Sequence, residues 1–274
     1  MRYTSKSAWL LAGILLSVMG SLFPFFWFVL TSIKSQVRVE AIPPTWLPDW
    51  NFSFYQTVIT DHHFLRYIGN SFMVAGSTTV VALILGVPAA YALVRVRMAG
   101  KVWILGGLLI VSMFPQIVIV GPVWQMLSSL GGLNTHWGLV LPYVALTLPL
   151  AIWILATFFK ELPTELEEAA RVDGCTTVQT MLKVMAPLAA PGIFTAAILT
   201  FIYAWNEFFL ALLLLTDPVK QTLPVGIALF QGEFTMPWGE IAAASVLATL
   251  PLVVIVLVFQ KGIVSGLSAG AVKS

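Results

Sequence analysis

The sequence predicts an all-α integral membrane protein with six transmembrane helices, both termini in the cytoplasm, and a two-helix cytoplasmic loop between helices 4 and 5. Three observations lead there. The 274 residues are 59% hydrophobic and only 9% charged, against about 25% charged in an ordinary soluble domain, which excludes a water-soluble globule. Uncharged runs of membrane-crossing length recur along the chain. Of the 14 Lys and Arg residues, ten fall on one side of the resulting topology and four on the other.

A spanning helix needs roughly 20 mainly apolar residues, because lipid offers the backbone no hydrogen-bond partner. Ser7 to Ile33 and Tyr67 to Val94 meet that length, and the fifth and sixth runs begin after Val184 and Ile241. Between Val102 and Phe159 lie 58 residues without an acid, Lys or Arg. That run is long enough to cross twice, and Gly131-Gly132-Leu133-Asn134 at its middle is a turn signal. The predicted spans are 9–31, 70–94, 102–125, 137–159, 189–215 and 241–263. Pro24, Pro88, Pro115, Pro142, Pro149 and Pro251 fall within them and read as kinks that bundle packing tolerates. Cations are retained on the cytoplasmic side. An inside N-terminus puts Arg2, Lys6, Arg95, Arg97, Lys101, Lys160, Arg171, Lys183, Lys261 and Lys273 there, and leaves Lys34, Arg38, Arg66 and Lys220 outside. With no internal repeat or low-complexity tract, residues 1–274 read as a single membrane domain.

The same composition excludes several chemistries. A net charge of +2 is too small and scattered for a nucleic-acid footprint. One cysteine, Cys175, makes no internal disulfide, and His62 and His63 are adjacent and point different ways, so no metal set is expected. No Gly-x-x-x-x-Gly-Lys-Ser/Thr loop and no His-Glu-x-x-His motif occurs, so the chain is expected neither to bind ATP itself nor to be an enzyme.

The loop 160–188 carries five of the twelve acids: Glu161, Glu165, Glu167, Glu168 and Asp173. Thr164-Glu165-Leu166-Glu167 and Thr176-Thr177-Val178-Gln179 both match a capping box, in which the Thr hydroxyl and the acid or amide three residues on satisfy each other's backbone N–H. Gly174 supplies a left-handed helix end between them. Val178, Met181, Leu182 and Met185 repeat at helical spacing before Pro187 stops the run. An amphipathic helix here can rest on lipid, but lipid-surface helices favour basic polar faces and the first of the two is acidic, which favours protein contact. Small Ala169 and Ala170 beside Glu168 permit close approach.

These residues resemble the signature of membrane permease subunits in bacterial binding-protein-dependent ABC importers: Glu-Ala-Ala, three residues, Gly, nine residues, Ile, any residue, Leu-Pro. Here it reads Glu168-Ala169-Ala170, Gly174, then Val184, Ala186 and Pro187, with Val184 and Ala186 as the two departures. The likeness extends through Asn70-Ser71, Ala89-Ala90-Tyr91-Ala92-Leu93, Met113-Phe114-Pro115, Leu141-Pro142-Tyr143 and Ala204-Trp205-Asn206-Glu207, and narrows to the carbohydrate branch, similar to the smaller permease of maltose-type importers. The resemblance implies a bacterial inner (plasma) membrane protein that imports a sugar, a di- or oligosaccharide or glycoside, and the near absence of Lys and Arg inside the spans favours a neutral one. It also implies the partners: two cytoplasmic ATPase subunits that carry ATP and Mg, a second and different permease, and a periplasmic or lipid-anchored sugar-binding protein. No cofactor belongs to this chain. Glu168, Ala169, Ala170, Asp173, Gly174 and Pro187 are the implied ATPase-coupling residues. Gln231, Gly232, Glu233 and Phe234 are the implied loop for the binding protein, and the tail 266–274 is a second implied reach toward the ATPase.

Glu207 is the one acid well inside a predicted span. Intramembrane acids are costly and face the bundle or a wet cavity. Tyr203, Asn206 and Glu207 are therefore candidates for the translocation path, with a structural hydrogen bond to a neighbouring helix as the competing role for Glu207. A secondary transporter driven by ions through Glu207 is the alternative function, although such carriers normally pair several ionisable groups at mid-membrane.

Overall fold

The computed structural model describes the backbone of residues 2–230 and 236–271, with side chains from residue 9 to 259 within those limits. Every labelled element is helical: α1 (Arg2–Ser32), α2 (Phe64–Arg95), α3 (Lys101–Ser112), α4 (Gln116–Ser129), α5 (His136–Glu161), α6 (Glu165–Val172), α7 (Thr177–Leu188), α8 (Ala190–Asn206), α9 (Phe209–Leu214) and α10 (Trp238–Ala271). Among the described residues α1, α2, α5 and α10 are each long and apolar enough to cross a membrane, and counting the bent pairs α3–α4 and α7–α8 as one span each brings the number to six.

Two expectations are corrected here. Pro115 is a break and not a kink: the third predicted span divides into α3 and α4, which meet at 91°. Proline has no N–H to donate and its ring collides with the carbonyl four residues back, so the chain leaves the helix at Met113. Pro24, Pro88, Pro142, Pro149 and Pro251, by contrast, lie inside continuous helices as expected. The fifth predicted span also divides, at Glu207, whose extended backbone (φ −67°, ψ 126°) separates α8 from α9.

The chain forms two compact units. The first comprises residues 1–65 and 226–251. The 24 residues from Trp9 to Ser32 bury none of their apolar window, the pattern of a helix facing lipid or another chain. Past its end, Lys34 is buried, with Nζ over the Trp27 ring at 4.4 Å and donating to the Thr45 carbonyl at 2.6 Å. Asp49 accepts from the Ser35 hydroxyl and pairs with Arg38, at 2.5 Å each. The Ser35 hydrogen bond foremost, with Arg38 adding to it, holds the Asp49 carboxyl below its ordinary range.

The second unit comprises residues 66–225 and 252–274. Here α3 and α8 both pack on α5. At one end the predicted Gly131–Asn134 turn forms, with Gly131 (φ +68°) and Asn134 (φ +55°) left-handed. The Asn134 side chain accepts from the Thr216 and Asp217 N–H groups at 2.7 and 2.8 Å, fixing the loop after α9. Gly138 lies so close to the turn that a Cβ would sit 2.1 Å from the Gly132 carbonyl oxygen. At the other end, Ala90, Tyr91 and Leu93 of α2, Ile152, Leu155 and Phe159 of α5, Met181 and Met185 of α7, and Ala196 of α8 form one buried cluster. The loop between the fourth and fifth spans is thus built into the helix ends.

Candidate functional site

α6 ends at Gly174 (φ +83°). The Gly174 N–H donates to the Arg171 carbonyl at 3.0 Å and the Cys175 N–H to the Ala170 carbonyl at 2.9 Å, a pairing that satisfies the last carbonyls of the helix through one left-handed residue. The Thr176 box then forms in full: the Gln179 N–H donates to the Thr176 hydroxyl at 3.3 Å, and the Thr176 N–H donates to the Gln179 side chain at 2.9 Å. The Thr164 box does not form. Thr164 has helical dihedrals (φ −72°, ψ −25°), whereas a cap needs an extended residue to aim its hydroxyl at the helix. Its expected partner, Glu167, is engaged elsewhere.

Glu167 is 5% exposed. Its Oε1 faces Arg95 Nε at 2.7 Å, and Arg171 Nη2 approaches its other oxygen at 3.9 Å. Arg95, the last residue of α2, also donates through Nη2 to the carbonyls of Phe159 and Leu162, at 2.9 and 2.6 Å, where α5 ends. One guanidinium therefore ties the end of α2 to the end of α5 and to the inner face of α6. A cation there complements the partial negative charge and the orphan carbonyls of a helix C-terminus. Sequence reasoning read Arg95 only as a topological charge and Glu167 only as a local cap.

α6 presents Glu165, Glu168, Ala169, Arg171 and Val172 outward, with Asp173 and Gly174 beside them. Ala170 is buried beneath, so among the two alanines only Ala169 is offered to a partner. In α7 the expected apolar stripe is split. Met181 and Met185 are buried, while Val178 and Leu182 are 60% and 57% exposed. A π-helical stretch over Thr180–Met185, whose i→i+5 bonding widens the turn, falls within this segment and departs from the 3.6-residue spacing that the stripe assumes. Pro187 does not stop the run. It opens a last turn, Ala186–Leu188, and the axis swings by 80° at Ala189 before α8.

Of the path candidates, Glu207 is buried and hydrogen-bonded at both carboxylate oxygens. Its carboxylate accepts the Leu210 and Ala211 N–H groups at 2.9 and 3.2 Å, capping α9, and takes the Tyr143 hydroxyl of α5. Asn206 is exposed and donates to the Ile202 carbonyl one turn back, at 2.7 Å. Tyr203 lines a cavity of about 230 Å³ with Ser112, Thr147, Leu150, Ile154 and Thr200. Its hydroxyl accepts from Gln116 Nε2 at 2.5 Å. Gln231, Gly232, Glu233 and Phe234 lie outside the described residues, as does the end of the 266–274 tail; nothing is described of that tail's side chains.

Comparison with known proteins accounts for this arrangement. The family of binding-protein-dependent transport system inner membrane components matches residues 82–268, which contain α3 to α9 and most of α10. The chain belongs to that family. Over 272 residues it is 40% identical to the sulfoquinovosyl glycerol transport system permease protein of Agrobacterium fabrum, covering 99% of this chain and 95% of that one. Over 273 residues it is 42% identical to the trehalose/maltose transport system permease protein of Thermococcus litoralis, covering 98% and 97%. A chain in the crystal structure of a bacterial ABC transporter that imports the acidic polysaccharide alginate superposes with a TM-score of 0.80 at 27% identity, covering 95% of this chain and 96% of that one. A second alginate transporter structure, in complex with a pentasaccharide-bound periplasmic protein, shares the fold at a TM-score of 0.66 and 18% identity. The chain is thus a multi-pass inner-membrane permease subunit and not an enzyme. In such importers ATP is used by separate subunits.

Proposed function

We propose that this permease imports a neutral sugar, a di- or oligosaccharide or a glycoside, as one of two unlike permeases bordering the path. Two cytoplasmic ATPase subunits drive it and an external binding protein supplies the solute. The observation that carries this reading is the α6–α7 pair: its inner face is locked into three helix ends, and its outer face offers Glu165, Glu168, Ala169 and Val172. A knob held from within and presented outward is a docking element. Both termini then lie in the cytoplasm with α6, as the distribution of Lys and Arg requires, and residues 1–274 act as one membrane domain. Glu168 makes the main polar contact, Ala169 the close approach, and Asp173 and Gly174 shape the exit, with Ala170 and Pro187 supporting from behind. Gln231 to Phe234 reach the binding protein.

The sugar assignment draws on the sugar-transport relatives and on the cavity, whose polar groups are the hydroxyls of Ser112, Thr147, Thr200 and Tyr203. Tyr203 borders the path, and Asn206 and Glu207 shape the helix end above it. With its carboxylate engaged by two N–H groups and Tyr143, Glu207 serves to cap a helix break, which favours a structural role over an ion-coupled cycle.

Alternating access follows from closure of the ATPase pair pushing on α6. Co-purification in detergent tests the reading. The wild-type chain is expected to retain an ATPase and a second permease, while Glu168→Lys and Gly174→Pro lose the ATPase or its coupling. A wild-type chain that purifies alone overturns it.

A further inference from the structure

We infer that Arg95 is the transmission residue of this permease: through Glu167 it joins α6 to α2 and α5, so that a displacement of α6 moves the ends of both spanning helices as one body. This rests on the proposed docking of an ATPase on α6. Connectivity alone ties α6 only to α5, through Leu162–Thr164, and to α8 through α7. Nothing in the chain path links α6 to α2. The charged link is the Arg95 side chain, 10% exposed, with Nε 2.7 Å from the Glu167 carboxylate and Nη2 on the Phe159 and Leu162 carbonyls at 2.9 and 2.6 Å.

Three features suit this joint to carrying force. It is held at several points, since the guanidinium forms a close ion pair with the Glu167 carboxylate of α6 and donates through Nη2 to two carbonyls at the end of α5, which restricts hinge motion. It is shielded: Glu167 is 7% exposed at the side chain, so water does not compete for the pair. And it is backed by apolar packing, because Tyr91 and Leu93 of α2, Phe159 of α5, and Met181 and Met185 of α7 are all buried in one cluster beside it, with Leu166 of α6 packed against them. The bent side of the assembly lies elsewhere, at the 80° turn between α7 and α8 and the π-helical stretch before it. A push on the exposed Glu168 face therefore reaches α2 and α5 rigidly and α8 through a bend. Arg95 is a positioning residue in this scheme; it touches neither solute nor nucleotide.

The test uses the complete importer in lipid nanodiscs: this permease, its partner permease, the ATPase pair and the external binding protein. Arg95→Gln and Glu167→Gln are each expected to lower binding-protein-stimulated ATP hydrolysis by about tenfold or more, the size of an ordinary coupling free energy. Basal hydrolysis and retention of the ATPase stay at wild-type levels. Arg95→Lys recovers part of the stimulation, and the double variant is no worse than the more severe single one. Stimulation within about twofold of wild type in an assembled Arg95→Gln complex overturns the inference.

A second measurement needs no change at the joint. Spin labels at Thr164→Cys on the edge of α6 and Val96→Cys after α2, in a Cys175→Ser background, report their separation with and without Mg-ATP and vanadate. Both sites are exposed, and the Thr164 side chain makes no cap hydrogen bond. An unchanged distance in the vanadate-inhibited complex supports one rigid body. A change of about 2 Å or more, the scale of helix shifts between states, contradicts it even where Arg95→Gln fails to assemble. Loss of the ATPase from the wild-type complex would instead sink the docking reading itself.

Discussion

Glu167 and Glu207 are both buried, at 5% and 7% exposure, and they solve the same electrostatic problem in opposite ways. A buried carboxylate is expensive unless it is paired or fully hydrogen-bonded. Glu167 takes a cation from another helix, so its solution spans α2, α5 and α6. Glu207 takes two N–H groups from the three or four residues that follow it and one tyrosine hydroxyl, so its solution is chiefly local and builds a helix break without proline or glycine. The first arrangement transmits position between elements; the second holds the shape of one. A buried acid in a membrane protein is thus not by itself a sign of a transport pathway, and its partners decide the role.

The largest effect expected from breaking the comparison is at Arg95. Arg95→Ala leaves the Glu167 carboxylate with only the more distant Arg171 and takes the donor from two carbonyls where α5 ends, and is expected to destabilise the fold by about 3–5 kcal/mol, read as a lowered thermal midpoint in detergent. A midpoint near wild type would show that the pair is not closed in the folded protein. Tyr143→Phe comes next. It removes one donor from Glu207 but leaves both N–H partners, so the cost is about 1–3 kcal/mol, and a loss as large as that at Arg95 would mean the local cap is not what holds Glu207.

The smallest contrast separates the two Thr sequences that look alike. Thr176→Ala breaks a formed capping box and is expected to cost about 1 kcal/mol. Thr164→Ala removes no hydrogen bond and is expected to stay within about 0.5 kcal/mol of wild type. Equal losses would contradict the helical conformation of Thr164.

The pair of Thr motifs also shows what was legible in the sequence. Thr176-x-x-Gln179 is a contest settled within four residues, and it reads correctly, as does the Gly174 exit. Thr164-x-x-Glu167 has the same local credentials but loses its acid to Arg95, far along the chain, and no local pattern reports that. Helix existence was legible because roughly 20 apolar residues leave the backbone few choices. The breaks at Pro115 and Glu207 were not. Pro115 sits among other prolines that helices absorb, Pro122 of α4 included, and Glu207 breaks its helix through side-chain hydrogen bonds that read equally well as a path residue. The signature residues Glu168 and Ala169 are on the exposed face that the motif implies, whereas Ala170 is turned inward.

One measurement bears most directly on the account: binding-protein-stimulated ATP hydrolysis by the assembled importer carrying Glu167→Gln, beside the same importer carrying Glu207→Gln. The account predicts that Glu167→Gln retains its ATPase subunits but loses stimulation about tenfold, while Glu207→Gln, which keeps its shape and one of its two acceptor oxygens, stays within about twofold of wild type. Full stimulation with Glu167→Gln and loss with Glu207→Gln would place the working acid at the helix break, and would contradict the account.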